Sequence, residues 1–177
     1  QGVGNAVGMA LAERWLAEHY NRSGLDIINH HTYALVSDGD MEEGVASEAA
    51  SLAGTLKLGK IIFLYDSNDI SIEGRTDITF TEDVGRRYEA YCWRVIGPIN
   101  GMDTAAVDAA LRLAHTESTR PTMIICRTVI GYGSPHKAGT GEAHGEPLGA
   151  EEVALTRKTL NWPHGPFATP PEALAHF

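Results

Sequence analysis

Four short apolar runs, Tyr33–Val36, Ile61–Tyr65, Trp93–Ile96 and Thr122–Cys126, constrain the fold of this chain more than any other feature. Their hydrophobic residues are continuous rather than alternating, which is the pattern of parallel strands buried on both faces. The intervening segments read as helices. Gly4 to about Tyr20 carries Val7, Leu11, Trp15 and Leu16 near one face. Met41 to about Leu56 is rich in Ala, Glu and Leu, and Thr81 to about Tyr91 starts on Thr81 as N-cap. Asp103 to about Thr116 and Glu151 to Leu160 complete the set. Strands alternating with helices, joined by right-handed crossovers, predict an α/β fold: a doubly wound, mainly parallel sheet with helices on both faces. Residues 1–162 are the expected domain. Pro163, Pro166, Pro170 and Pro171 mark 163–177 as a tail or linker to a further domain.

The bulk properties narrow the function classes. A length of 177 residues suits one domain with a sizeable core. The net charge is −9 and the basic residues are scattered, which argues against nucleic acid and against an anionic membrane surface. A phosphorylated ligand remains compatible, because a bound cation screens phosphates locally. No apolar stretch approaches the ~18 residues of a membrane span, and no signal peptide is visible, so a cytoplasmic protein is expected. Cys92 and Cys126 are expected to be reduced, buried thiols. The chain opens on Gln1-Gly2-Val3-Gly4, without Met, and runs at once into a helix, which predicts a fragment of a longer protein.

In open α/β sheets, ligands bind beyond the carboxyl ends of the strands. Asp38 follows the first apolar run directly, and Asn68 follows the second, thirty positions later. If those strands are neighbours, a carboxylate and an amide oxygen emerge at one sheet edge. Oxygen donors suit a hard cation, Mg²⁺ or Ca²⁺, whose shell phosphate oxygens complete. Gly39 leaves the backbone open to a diphosphate, and the helix starting near Met41 points free N–H groups the same way. A plain turn with a helix cap is the alternative reading of Asp38-Gly39.

The wording around these residues is more specific. Ser37-Asp38-Gly39 followed by Ser67-Asn68 resembles the thiamine diphosphate motif. Asp38-Gly39-Asp40-Met41-Glu42-Glu43-Gly44, Ile70-Ser71-Ile72-Glu73-Gly74, Tyr88-Glu89-Ala90-Tyr91, Gly131-Tyr132-Gly133-Ser134 and His144-Gly145 are similar to segments of the transketolase family. The resemblance covers nearly the whole chain, less closely after Pro163. It implies the thiamine diphosphate-binding fold, incomplete at its start, with Mg²⁺ held by the side chains of Asp38 and Asn68 and by the carbonyl of Ile70. It further implies that Gly39 contacts the diphosphate and that Ile72 makes an apolar contact to the cofactor. His144 is implied as the catalytic histidine beside the diphosphate and the substrate. Glu43 and Glu48 are implied in a hydrogen-bond network between the two sites of a homodimer.

The implied activity is transfer of a two-carbon ketol unit from a ketose phosphate to an aldose phosphate, in the pentose phosphate pathway. This chain alone is expected to be inactive, because the family's upstream histidines and the partner's activating glutamate lie outside it. Two departures stand out: Ser37 replaces the first glycine of the motif, and Asp40 brings negative charge near a diphosphate. Other readings stay open from the sequence. Gly2-x-Gly4-x-x-x-Gly8 loosely matches a dinucleotide fingerprint. The domain also suits a non-catalytic α/β binding or dimerisation module. Dihydroxyacetone synthase and deoxyxylulose phosphate synthase use the same kind of site.

Overall fold

The computed structural model describes residues 1–72 and 74–176, and it lays the four apolar runs side by side. Strands β1 (Thr32–Ser37), β2 (Ile61–Ser67), β5 (Arg94–Asn100) and β6 (Thr122–Arg127) form one sheet in the order β1-β2-β6-β5. Every pairing in it is parallel, as continuous burial requires. The strands run one or two residues beyond the apolar runs, and β5 runs four beyond, because ladder bonds continue past the hydrophobic residues.

The two sheet faces are covered by different helices. On one face Ile61, Phe63 and Tyr65 pack against α1 (Gly2–Tyr20), α3 (Gly44–Thr55) and α4 (Val84–Ala90). On the other, Ile62, Ile124 and Cys126 pack against Ala110 and Ala114 of α5 (Thr104–Ala114). On that second face edge strand β1 is only partly covered: the Tyr33 hydroxyl lies 2.6 Å from His115 Nε2 at the end of α5, while Leu35 stands 82% exposed.

Several local expectations are corrected. Helix α1 buries Val3, Ala6, Val7, Ala10 and Glu13, while Leu11 and Trp15 face outward. Its partner α3 offers Ala46, Ala50 and Ala53, so two small-residue faces meet and bulky side chains are displaced from the seam. The helix expected from Met41 is two helices, α2 (Asp38–Glu42) and α3, broken at an extended Glu43. Arg87 bridges the break by donating to the Met41 carbonyl at 2.8 Å and to Ser47 Oγ at 2.7 Å. Helix α4 starts later than expected, because Asp83 rather than Thr81 caps it, accepting the Arg86 N–H at 3.0 Å.

Cys92 is exposed, contrary to expectation, whereas Cys126 is buried. Cys92 ends the turn after α4 at φ 66°, and the inward position goes to Trp93, whose Nε1 donates to the Ala50 carbonyl at 2.8 Å. The stretch after β2 holds a short antiparallel pair, β3 (Ile70–Ser71) with β4 (Gly74–Arg75). The glycine-rich segment after β6 contains a single turn of helix, α6 (Glu142–Gly145), before α7 (Ala150–Thr159). A last short helix, α8 (Pro171–His176), has no buried residue. No helix among the described residues is long and apolar enough to cross a membrane.

Candidate cofactor and metal site

Parallel pairing in register aligns Ser37 with Asp66, so the chain leaves β1 and β2 at the same sheet edge. Asp38 stands at the first of these exits and Asn68 at the second. Asp38 is 3% exposed. Its Oδ1 accepts the Tyr65 hydroxyl, and its Oδ2 accepts the backbone N–H groups of Asn68 at 3.2 Å and Asp69 at 3.0 Å. Three donors from β2 and its exit therefore orient one carboxylate at the exit of β1.

Burial pushes the Asp38 carboxyl above its ordinary range, against the pull of the Tyr65 hydroxyl and the Asp69 and Asn68 N–H groups. Burial and the bond to Asp38 likewise raise the Tyr65 phenol. No Lys or Arg among the described residues forms an ion pair with Asp38. A buried carboxylate without a cationic partner fits a site completed by a cation.

Asn68 is held by its own exit turn. Its Oδ1 accepts the Ile70 N–H at 3.0 Å, and its Nδ2 donates to Asp66 Oδ1 at 3.4 Å. That network sets the side chain's amide orientation. Asp69 lies between them at φ 62°, a left-handed conformation costly for a residue with a Cβ, and its carboxylate pairs with Arg127 at 2.8 Å.

Beside this corner lies a cleft of about 630 Å³ lined by Ser37, Gly39, Asn68, Ile70, Ile72 and His144, together with Glu42, Thr79 and Ile130. Five of the eight residues singled out from the sequence thus share one cleft, and Asp38 is bonded to Asn68 at its margin. A Cβ built on Gly39 meets nothing within 4 Å, so packing within the chain does not demand glycine there. Gly39 belongs to the first turn of α2, which begins at Asp38 rather than near Met41.

Asp40 does not confront the cleft as a free charge. Its Oδ2 accepts the Ser37 N–H at 2.8 Å and the Ser37 Oγ–H at 3.1 Å, which closes the start of α2. Ser37 in place of glycine thereby supplies a cap. Glu43 and Glu48 do not line the cleft; both are exposed, Glu43 at the start of α3 and Glu48 within it. Ile72 is 67% exposed at the cleft wall, so it is not plain core. Glu73 lies outside the described residues.

The residues that sequence reasoning missed are Tyr65, Thr79 and Glu42. Tyr65 was legible only as the end of an apolar strand. Thr79 Oγ1 donates to Glu42 Oε1 at 3.0 Å across the cleft rim, a contact between residues 37 positions apart that no spacing rule announces.

The side-chain oxygens at this corner belong to the Asp38 carboxylate and the Asn68 amide. No group of three His, Cys, Asp or Glu side chains suited to a metal occurs among the described residues. An all-oxygen set of this kind fits a hard divalent cation that keeps ligands from water or phosphate. The glycines of the alternative dinucleotide pattern, Gly2, Gly4 and Gly8, lie inside α1.

Comparison with known proteins gives the family. The family described as "Transketolase, thiamine diphosphate binding domain" matches residues 1–177. The chain is 51% identical over 177 residues to transketolase 1 of Escherichia coli K12, covering 100% of itself and 27% of that protein. It is 52% identical over 178 residues to the transketolase of Geobacillus stearothermophilus, again covering 27% of the relative. Transketolase from Leishmania mexicana superposes with a TM-score of 0.94 at 43% identity, over 99% of this chain and 26% of that one. A Pichia stipitis transketolase solved in complex with sedoheptulose-7-phosphate superposes at 0.95 with 40% identity, over 99% and 26% of the two chains. The chain therefore spans about a quarter of the length of the relatives it matches. A parallel sheet that brings an acid and an amide to adjacent strand ends is what a diphosphate-anchoring domain needs, and with these matches the chain belongs to the transketolase family, as its thiamine diphosphate-binding domain.

Proposed function

We propose that this chain is the diphosphate- and metal-anchoring part of a transketolase that moves a two-carbon ketol unit from a ketose phosphate to an aldose phosphate. The support is one relationship: Asp38, buried, accepts the backbone N–H of Asn68, and Asn68 lines a cleft shared with Gly39, Ile70 and His144. In this reading Asp38, Asn68 and the Ile70 carbonyl hold Mg²⁺, with Ca²⁺ as a substitute. The open space at Gly39 receives the diphosphate.

When bound, thiamine diphosphate supplies a nucleophilic carbon and an electron sink. The chain's own residues do the rest of the work assigned here. Asp38 offsets the cation's charge and is itself held ionised by it. Ile72 offers an apolar wall, and His144 donates a hydrogen bond or a proton at the cleft mouth. Val45, Glu48 and Leu52 lie at i, i+3 and i+7 on α3 and are all exposed, so that helix face, with Glu43 at its start, suits contact with a second subunit of a homodimer. Residues 163–177 are proposed to lead toward a further domain, and the whole protein is proposed to act in the cytoplasm on sugar phosphates. The chain alone anchors cofactor without turnover.

Thermal unfolding with thiamine diphosphate tests the anchoring role. With Mg²⁺ or Ca²⁺ present, cofactor at a hundredfold excess over Kd stabilises by about 2.7 kcal/mol. With a chelator in place of the cation the shift disappears. A shift that persists in chelator removes the cation from the site.

A further inference from the structure

The glycine-rich segment between β6 and α7 has to carry His144 to the cleft, yet most of it is irregular backbone. Its order has an identifiable source. Glu152, in the first turn of α7, is 8% exposed and accepts three hydrogen bonds from that segment. The Ser134 hydroxyl donates to Oε1, the His136 N–H donates to Oε1 at 2.8 Å, and His136 Nδ1 lies 2.8 Å from Oε2. Ser134 Oγ in turn accepts the Lys137 N–H at 3.1 Å.

A Ser, a His and a Glu in contact invite comparison with a nucleophilic triad, and the connectivity excludes it. The imidazole does not sit between hydroxyl and carboxylate; both donate to the same carboxylate. Ser134 is buried as well, so no substrate reaches its oxygen. The cluster is a clamp.

From the clamp, order passes along a continuous path to His144. The Lys137 carbonyl accepts the Thr140 hydroxyl at 2.8 Å, and the Thr140 and Gly141 carbonyls accept the Ala143 and His144 N–H groups at 3.2 and 2.9 Å. On its other side this turn lies against the hairpin that holds Ile70. A Cβ at Gly141 would stand 3.3 Å from the Ile72 carbonyl and 3.2 Å from the Gly74 nitrogen. The His144 turn is therefore seated between the hairpin and the Glu152 clamp.

We propose that Glu152 is a positioning residue for His144, acting through Ser134 and His136 to set where the imidazole stands in the cleft. This rests on the transketolase reading above. Misplacing a reacting group by about an ångström costs on the order of a hundredfold in rate.

The test uses the full-length enzyme and steady-state transfer from a ketose phosphate to an aldose phosphate. Turnover by the unmutated enzyme, dependent on thiamine diphosphate, secures the underlying reading; its absence overturns that reading and the clamp's role with it. Given turnover, Glu152→Ala lowers kcat/KM by roughly 10- to 100-fold. Glu152→Gln, which keeps an acceptor for Ser134 and for the His136 N–H, recovers most of it. In a His144→Ala background, Glu152→Ala costs nothing further, because the residue it positions is gone. An equal loss in both backgrounds, or unchanged kcat/KM in the first, overturns the proposal while leaving the enzyme's function intact. If Glu152→Ala does not fold, Ser134→Ala takes its place in the same cycle and is read by the same two criteria.

Discussion

The carboxylate of Asp38 accepts the backbone N–H of Asn68 at 3.2 Å, which ties the exits of β1 and β2 into one corner. The same oxygen accepts the Asp69 N–H, so the carboxylate shapes the turn that carries Asn68, besides the cation-binding role proposed for it. Two jobs in one side chain make Asp38 the most informative residue to change.

Asp38→Asn keeps the shape but removes the charge, and its amide adds a donor where only an acceptor fits the Asn68 and Asp69 N–H groups. Calorimetric titration is expected to show affinity for thiamine diphosphate with Mg²⁺ falling by more than the 10- to 100-fold typical of an outer-shell change. Affinity unchanged within error would exclude Asp38 as a metal ligand.

Tyr65→Phe removes the hydroxyl that donates to Asp38 Oδ1 inside the fold. An unsatisfied buried acceptor costs about 1–3 kcal/mol. Denaturant unfolding should report that loss, and cofactor affinity with Mg²⁺ should fall roughly 10- to 100-fold through a freer carboxylate. A loss of stability with full cofactor affinity would show that Tyr65 serves the fold alone.

Asp69→Gly exchanges a strained left-handed residue for one that adopts φ 62° freely, and it deletes the half-exposed ion pair with Arg127. Relief of about 1 kcal/mol opposes a loss of about 0–1 kcal/mol, so the unfolding free energy should stay level or rise slightly. A fall of several kcal/mol would mean that Arg127 holds the metal-side turn in place through this pair.

Glu152 should make the clamp sensitive to acid. Hydrogen bonds from Ser134 and then His136 hold its carboxyl down to about 2, against an ordinary value of 4.5. As pH falls the unfolded chain takes up the proton first. The stabilisation is complete above about pH 4.5 and is lost as pH falls toward 2. The stability gap between the parent and Glu152→Gln should therefore shrink over that window. Glu117 is also held to about 2, by Thr119, and it titrates alike in both proteins, so it cancels in the difference. A gap that is constant with pH would place the clamp's strength outside the carboxylate's charge.

Legibility followed the range of the interactions. Runs such as Ile61–Tyr65 announced buried parallel strands, because burial on both faces leaves a continuous apolar stretch. The helix of α1 was equally plain, but its buried side was not. Which face turns inward depended on meeting the alanines of α3, some forty residues away, and that contact favours small side chains over Leu11 and Trp15. The break at Glu43 went unread for a related reason. The carbonyl of Met41 finds a substitute donor in Arg87, 46 positions on.

By itself the sequence determined the fold class, the family and the strand tips at which Asp38 and Asn68 stand, since local apolar continuity and local wording carry those. Only the tertiary structure decided that β1 and β2 are neighbours in register, that Tyr65 turns its hydroxyl onto Asp38, and that Glu152 gathers Ser134 and His136. The physical reason is that hydrogen bonds between residues distant along the chain depend on how layers pack. A parallel sheet brings its strand ends together only after the crossovers have closed.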